Sequence, residues 1–227
     1  MTAEHQLSEL WIDHLGLAVH DVAPVVAALR NAGFVVNNPV ELHGESGPMG
    51  QVSAHCVFRN FYLEISAPIA GYINHLSPIL ANGSGLAIIV LRCEEASLRH
   101  DQLSGMGFKC DRVMDASRSV YLSSGEQVAH FRWFPVQGLI DHTIVGFVEH
   151  RDAHLVFAPE LMRHASGARQ IERIAMGPEF VALAELANGR PSAAPFVALD
   201  ETATPRACAL VTDTGCDLLE LCLEASV

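Results

Sequence analysis

A pattern of three repeats constrains the fold of this chain more than any other feature. Each repeat ends in an apolar stretch that carries a glutamate, and these are Glu64, Glu149 and Glu220. Glu64 follows His14 by 50 positions and Glu220 follows Glu172 by 48, so the first and third repeats nearly superpose. Repetition at this period predicts an architecture built from copies of one supersecondary unit.

Each repeat is predicted to fold as a strand, a helix and three further strands. In the first repeat, Asp21 is a good N-cap, Pro24 fits the first helical turn, and the helix is expected to end near Gly33. Apolar runs bounded by turn residues then predict three strands. These strands are residues 34–36, 51–58 and 60–66.

The repeats define three expected modules of an α+β fold. They are residues 12–68, 84–151 and 168–225, the last of them partial. For the end of the chain we expect a hairpin of strands 206–212 and 216–224 over a turn with Gly215. An odd number of modules leaves one sheet edge unpaired, and exposed edges invite pairing, so we expect a homodimer.

Composition and charge exclude several classes of protein. Half of the 227 residues are apolar, which is ample material for a core. The net charge of −12 repels a phosphate backbone, so a nucleic-acid partner is not expected. Because the start of the chain is polar and no run of about 18 apolar residues occurs, we expect a soluble, cytoplasmic protein without a membrane span. The six cysteines lack the two-residue spacing of zinc or redox motifs and are read as buried thiols.

Two polar side chains are expected to meet inside the sheet. Alternate residues of a strand share a face, so His14 lies with Gly16 and Ala18, and Glu64 lies with Tyr62. If the sheet curls toward this polar face, the imidazole and the carboxylate converge there. Such mixed nitrogen and oxygen ligands suit a divalent metal, and Zn, Ni, Mn, Co and Fe are not distinguished.

A third metal ligand is needed, and the second repeat offers two candidates. Glu149 occupies the place of Glu64 in that repeat and is the preferred one, whereas His150, on the opposite face of the strand, is weaker. Either Glu149 or Glu64 would also act as the catalytic base. A small-molecule substrate is expected to contact four residues, among which the arginine would hold a carboxylate in a two-pronged grip. These are His55, Tyr62, Arg118 and His150.

Several segments of the chain resemble the vicinal oxygen chelate superfamily, which has the glyoxalase and bleomycin-resistance fold, and specifically its glyoxalase-like branch. The resembling segments are residues 13–19 with Asp21, 33–34, 50–51, 62–65, 147–149 and 164–168. The last of them is similar to a His-Pro-Asn-Gly-Ala pattern of this branch, from which Ala165 and Ser166 depart. The resemblance covers about residues 12 to 176.

The resemblance implies paired βαβββ modules that curl into a half-open β-barrel around one metal ion. Carried over by position, His14 takes the first ligand place, Glu64 the second and Glu149 the fourth. Leu86 stands at the third place, where many members have histidine, glutamine or glutamate. The chain would therefore hold a metal with three protein ligands, or hold none.

Three functions remain open from the sequence. The first, which we expect, is a metal-dependent lyase or isomerase that acts on a small oxygenated metabolite through a chelated enediolate. The second is a non-haem Fe(II) dioxygenase, which needs a second histidine, from His150 or a loop residue such as His142. The third is a non-catalytic protein that binds a small molecule, as resistance members of the superfamily do, and Leu86 favours it.

Overall fold

The first module supplies one half of a closed β-barrel. A computed structural model describes residues 9–72, 74–187, 194–200 and 208–226. The elements of the first module are β1 (Ile12–Ala18), α1 (Val22–Asn31), β2 (Val40–Gly44), β3 (Gly47–Val57) and β4 (Tyr62–Pro68). Asp21 caps α1 as expected, since its carboxylate accepts a hydrogen bond from the Ala23 N–H at 2.9 Å.

The second module supplies the other half of the barrel. A short helix, α2 (Leu76–Leu80), connects the two modules. The elements of the second module are β5 (Gly85–Arg92), α3 (Ala96–Gly105), β6 (Met114–Leu122), β7 (Gly125–Val136) and β8 (Ile144–His150). Around the barrel the strands follow the order β1-β4-β3-β2-β6-β7-β8-β5. The predicted α+β fold with βαβββ modules in a curled barrel is confirmed, and the barrel is closed rather than half-open.

Two seams join the modules. At the first, β1 and β5 pair antiparallel from Ile12 opposite Leu91 to Ala18 opposite Gly85. At the second, β2 and β6 pair only where His43 and its successor meet the start of β6. One seam is therefore long and the other short.

Some of the predicted strands are displaced along the chain. Residues 34–36 do not form a strand, and the second strand begins only at Val40. Phe34 and Val36 are nevertheless buried in the core. The region 117–125 belongs to the β6–β7 hairpin, whose strands pair from Met114 opposite Trp133 to Leu122 opposite Gly125. In β6, Ala116, Arg118 and Val120 are buried and alternate with Ser117 and Ser119, which are less buried. Because polar residues occur on both faces, hydrophobic alternation does not reveal this strand in the sequence.

The remaining described residues form a second, smaller sheet and several short helices outside the barrel. Its elements are α4 (Ala153–Val156), a 3-10 turn (Pro159–Met162), β9 (Ile171–Met176), a 3-10 helix (Pro178–Leu186), β10 (Phe196–Leu199), β11 (Cys208–Thr212) and α5 (Leu218–Ala225). The strand order is β10-β9-β11, and α5 packs against α1. No helix among the described residues is long and apolar enough to cross a membrane.

The predicted terminal strand 216–224 is wrong, because most of it is the helix α5. The Asp217 carboxylate caps this helix by accepting hydrogen bonds from the N–H groups of Leu219 and Glu220. Leu218, Leu219 and Cys222 form its buried face. Glu220 is exposed on this helix and Glu172 is exposed on β9, so they form no counterpart of the first module's polar pair.

The loop 164–168, which resembles the family pattern, connects the part of the chain after the barrel to the first module. His164 accepts a hydrogen bond from the Val35 N–H at Nδ1 and donates one from Nε2 to the Val57 carbonyl, both at 2.9 Å. Burial lowers the pKa of His164, which suits a neutral ring that donates at one nitrogen and accepts at the other. Gly33 has φ of +84°, and a Cβ there would lie 2.9 Å from the Ser166 nitrogen. Glycine is therefore needed for this close approach.

Candidate functional site

The barrel contains a cavity that is partly open to solvent. Its polar lining comes mostly from the first module and consists of His14, Gln51, Ser53, His55, Tyr62, Glu64, His75, Arg118 and His150. Its apolar lining comes mostly from the second module and consists of Leu42, Met49, Ile88, Val90, Phe131, Trp133, Ile144 and Val148. The cavity thus has one polar and one apolar wall.

The polar wall is centred on Glu64 of β4, which is about nine-tenths buried. Its Oε1 accepts hydrogen bonds from Gln51 Nε2 at 2.9 Å and Ser66 Oγ at 2.5 Å, with Ser53 Oγ at 3.4 Å. Three donors on β3 and β4 therefore fix one oxygen of this carboxylate. Gln51, Ser53 and His55 alternate with apolar residues in the sequence, and this period of two was the signal that could have revealed the first two of them.

The second oxygen of Glu64 faces two histidines. Its Oε2 lies 3.7 Å from His14 Nε2 and 3.9 Å from His55 Nε2. The structure thus brings together His14 and Glu64, as expected from the strand faces, and adds His55 to them. Burial holds the pKa of His55 well below its usual value, and Arg118 and His14 lower it further, so this imidazole is neutral near pH 7.

A buried carboxylate that the sequence analysis left without a role orients His14. Asp13 Oδ1 accepts a hydrogen bond from His14 Nδ1 at 2.8 Å, and Asp13 Oδ2 lies 3.0 Å from His150 Nε2 and 3.1 Å from Arg92 Nε. Burial alone would raise the pKa of Asp13, but His150 and His14 hold it well below its usual range. Since the ionised carboxylate accepts the Nδ1 proton, His14 presents Nε2 to the cavity.

Asp13 reaches this position through an irregularity in β1. Strict alternation would put Asp13 and His14 on opposite faces of the strand. The register between β1 and β5 shifts between Ile12 and His14, as expected for a β-bulge, which turns a side chain toward a new direction. Sequence periodicity alone could not have predicted the pairing of these two neighbours.

The structure corrects the placement of Glu149. Within β8, Val148 and His150 face the cavity, so Glu149 faces outward by alternation. Its Oε2 accepts a hydrogen bond from the Ala96 N–H at 2.9 Å, at the start of α3, and its Oε1 lies 3.0 Å from Arg151 Nε. Glu149 therefore does not join His14 and Glu64, either as a ligand or as a base. His150, expected on the far face, is the residue that reaches the cavity.

Leu86 also lies away from the cavity. It belongs to the core outside the barrel, and the residues that β5 turns inward are Ile88 and Val90. The register between β1 and β5 shifts at this point as well, between Gly16 and Leu17. A Cβ on Gly16 would lie 2.7 Å from Ile88 Cβ, so the space that glycine leaves beside His14 is filled by Ile88. Where the resemblance implied a metal ligand from β5, the cavity is thus lined by the aliphatic side chain of Ile88.

Arg118 and Tyr62 contact each other within the polar wall. Arg118 is 6% exposed, and its guanidinium carbon lies 5.0 Å from the centroid of the Tyr62 ring. The His14 ring also stacks on the Tyr62 ring, with 4.2 Å between the ring centroids. Burial holds the pKa of Tyr62 well above its usual value although Arg118 opposes this, so the phenol stays protonated. Within the described ranges, no carboxylate lies within 4.0 Å of Arg118.

The comparison with known families assigns the chain to one of them. A family model described as a glyoxalase-like domain matches residues 12–187. The chain belongs to this glyoxalase-like family. It is therefore a member of the vicinal oxygen chelate superfamily, as the sequence motifs predicted. No curated protein matches the chain.

Solved structures with the same fold are distant in sequence. A hypothetical protein from Staphylococcus aureus is 8% identical, with 73% of this chain and 69% of that chain covered and a TM-score of 0.54. Methylmalonyl-CoA epimerase from Streptomyces coelicolor is 20% identical over 63% and 98%, with a TM-score of 0.48. 4-Hydroxymandelate synthase from the same organism is 13% identical over 75% and 49%, with a TM-score of 0.47. At 8% identity the likeness to the first of these structures concerns the fold alone.

Members of the superfamily typically bind divalent metals, which need several nitrogen or oxygen donors around one point. His14 and Glu64 offer donors from β1 and β4. By contrast, β5 turns Ile88 and Val90 toward the cavity, and His150 of β8 is bonded to Asp13 through Nε2. No three His, Cys, Asp or Glu side chains in the described part of the chain are grouped to hold a metal. The residues present therefore do not fit the metal centre that the resemblance implied.

Proposed function

We propose that the protein is an isomerase or lyase that moves a proton on a small oxygenated metabolite, with Glu64 as the transferring group. The observation that carries this proposal is the unequal environment of the two carboxylate oxygens. Oε1 is fixed by donors from β3 and β4, whereas Oε2 faces the cavity beside His14 and His55. A positioned carboxylate with one oxygen directed at a substrate cavity is what a general base requires.

The proton transfer follows from this arrangement. Glu64 Oε2 takes a proton from a carbon that bears a hydroxyl group and lies next to a carbonyl group. The electron pair of the C–H bond forms a C=C bond, the π electrons of the carbonyl move to its oxygen, and loss of the hydroxyl proton to His14 gives the enediolate. In an isomerase the protonated Glu64 then returns the proton to a carbon of the enediolate, whereas in a lyase a leaving group departs from the enediolate. In both cases His14 gives the hydroxyl proton back to an oxygen of the product. The carboxylate is regenerated by the proton return in the first case and by protonation of the leaving group in the second.

The histidines are suited to the oxygen atoms of the same substrate. His14, held by Asp13 at Nδ1, offers Nε2 as an acceptor for the proton of a substrate hydroxyl, and Asp13 stabilises the imidazolium that results. Neutral His55 can donate a hydrogen bond to the oxygen that becomes negative. Since the metal donors do not fit, the enediolate in this proposal is stabilised by the protein's own groups rather than by chelation.

Glu64→Gln tests the proposal because glutamine keeps the shape and the contacts at Oε1 but cannot take a proton. Solvent deuterium exchange into a panel of small 2-hydroxy and 2-oxo acids and aldehydes, followed by NMR, is the measurement. We expect exchange with the wild type and a loss of about 100- to 10,000-fold with Glu64→Gln.

Glu149→Gln is the matched control, because its carboxylate lies outside the cavity. This variant should keep the wild-type rate. Equal rates for wild type and Glu64→Gln, or no exchange with any compound of the panel, would refute the proposal.

A non-catalytic binding protein is the second candidate, and the apolar wall from the second module favours it. Ligand-dependent thermal shifts without deuterium exchange in the wild type would support this function over the first. The dioxygenase hypothesis gains no such support, because His150 is bound to Asp13 and His142 is not among the lining residues of the cavity.

A further inference from the structure

The cavity combines a buried cation, an apolar wall and an acceptor without a donor. From these we infer that its ligand is a small 2-hydroxy carboxylic acid with an aromatic or branched apolar body. That this ligand is a substrate rests on the proposed function. The chemical class of the ligand follows from three separate observations.

The first observation is the charge of Arg118. Arg118 is 6% exposed as a residue, and its guanidinium lies against the Tyr62 ring. A buried charge is costly unless it is paired, and none of the described carboxylates pairs with it within 4.0 Å. A ligand carboxylate would supply the missing charge and match the planar fork of the guanidinium.

The second observation is the apolar wall opposite Glu64. Phe131 and Trp133 of β7 face the cavity and are only partly buried, so their rings remain available for contact. Aliphatic side chains of β5 and β8 complete the wall, and these are Ile88, Val90, Ile144 and Val148. Such a surface takes an aromatic or branched hydrocarbon group and offers nothing to a second charged group.

The third observation is the free acceptor of Gln51. This residue is 1% exposed, and its Oε1 has no hydrogen-bond partner. Its amide orientation is set by chemistry, since Nε2 must face the Glu64 oxygen that it donates to. A buried acceptor without a donor is rare, and a ligand hydroxyl would satisfy it. Because Gln51 contacts Glu64, this hydroxyl would lie next to the proposed base.

Calorimetry with four compounds separates the three contacts. The probes are 3-phenyllactate, its amide, 3-phenylpropionate and lactate, which in turn carry all three groups or lack the charge, the hydroxyl or the ring. With Glu64→Gln, which cannot turn the probes over in the proposed reaction, we expect 3-phenyllactate to bind at least tenfold more tightly than each of the others.

Two variants assign the contacts to residues. Arg118→Gln should bring the acid and its amide to within about twofold of each other, and Trp133→Ala should remove the advantage over lactate while the preference for the acid remains. Circular dichroism checks that both variants fold. If Arg118→Gln does not fold, the acid-to-amide ratio measured in the protein with native Arg118 decides.

The outcomes separate this inference from the proposed function. Equal binding of the acid and the amide, or no binding of 3-phenyllactate, overturns the ligand class even if deuterium exchange occurs with other compounds. Selective binding without exchange in the wild type supports the ligand class and leaves the binding-protein function. Selective binding with exchange that depends on Glu64 supports both.

Discussion

Asp13 is the residue whose position says most about the cavity, although it does not line it. It is fully buried, and it contacts His14, His150 and Arg92. A single carboxylate thus fixes a histidine of the cavity and compensates the charge of an arginine. Removing its charge should affect both stability and proton transfer.

We expect Asp13→Asn to lower the free energy of unfolding by about 2 to 4 kcal/mol at neutral pH, because a broken buried ion pair leaves the other partners uncompensated. The folded-state pKa of Asp13 is held below its unfolded value of about 3.9, so the stabilisation is present above that pH and is lost as the pH falls. Urea unfolding between pH 3 and 7 should therefore show the difference from wild type shrinking toward acid.

Asp21→Asn is the control for this substitution, because Asp21 is exposed and asparagine also caps helices well. It should stay within about 0.5 kcal/mol of wild type at all these pH values. A stability difference for Asp13→Asn that does not vary with pH would contradict the assigned ionisation.

Sequence reasoning found the first module's site residues better than those of the second. His14 and Glu64 were correctly placed on facing surfaces, because both lie in strands with clear alternation. Glu149 was chosen by its likeness to Glu64, but a shift of one residue turns a strand side chain to the other face. His150 therefore occupies the cavity instead, and nothing in the local sequence distinguishes the two neighbours.

At the scale of elements, the loop of His164 joins parts that are far apart in the chain. Both nitrogens of its ring bond to backbone groups of the first module, at Val35 and Val57. Backbone groups next to α1 and at the end of β3 depend on this one side chain for a partner. The family-like loop thus has a structural role in this chain.

His164→Ala should lower the free energy of unfolding by about 1 to 3 kcal/mol, because two buried backbone groups lose their partners. Thermal or urea unfolding measures the loss, and deuterium exchange into a substrate should change far less than with Glu64→Gln. His154→Ala is the control, since His154 is exposed on α4. Equal stability of the two variants would show that the loop does not depend on the His164 contacts.

The helix α5 illustrates why the end of the chain was predicted wrongly. Its run of leucines at 218, 219, 221 and 223 fits a strand as well as a helix when the segment is short. Asp217 decides between them by capping the first turn, and the buried Cys222 lies one turn after Leu218. The capping signal was present in the sequence, but the presumed repeat had assigned the segment to a strand.

At the scale of the whole molecule, the two seams of the barrel differ in length. The β1–β5 seam extends along both strands, whereas the β2–β6 seam consists of His43 opposite Ser117 and Gly44 opposite Ala116. Local opening requires fewer hydrogen bonds to break at the shorter seam. The barrel should therefore open more readily between β2 and β6.

Hydrogen–deuterium exchange measured by mass spectrometry tests this expectation. Backbone amides of β2 should exchange at least tenfold faster than those of β1 and β5. The β6–β7 hairpin is an internal control, because its strands pair along their whole length. Equal protection at both seams would contradict the difference.

The repeats predicted how many strands each barrel half would have, but not how the halves would join. Which edges meet depends on the twist of both sheets and on side chains such as Ile88, which fills the space beside Gly16. The sheet β10-β9-β11 lies outside the barrel, so its edges do not take part in closing the barrel. The homodimer stays a prediction.

The split between a polar and an apolar wall has a consequence for how such a protein can change. The groups proposed to react belong to the first half of the chain, and the hydrocarbon surface that would choose among compounds belongs mainly to the second. Substitutions at Phe131, Trp133 or Val148 can then alter selectivity while Glu64 and its hydrogen bonds stay in place. The reaction and the ligand selectivity can then diverge independently. A chimaera in which only the second half is exchanged would take its selectivity from one protein and its reaction from the other.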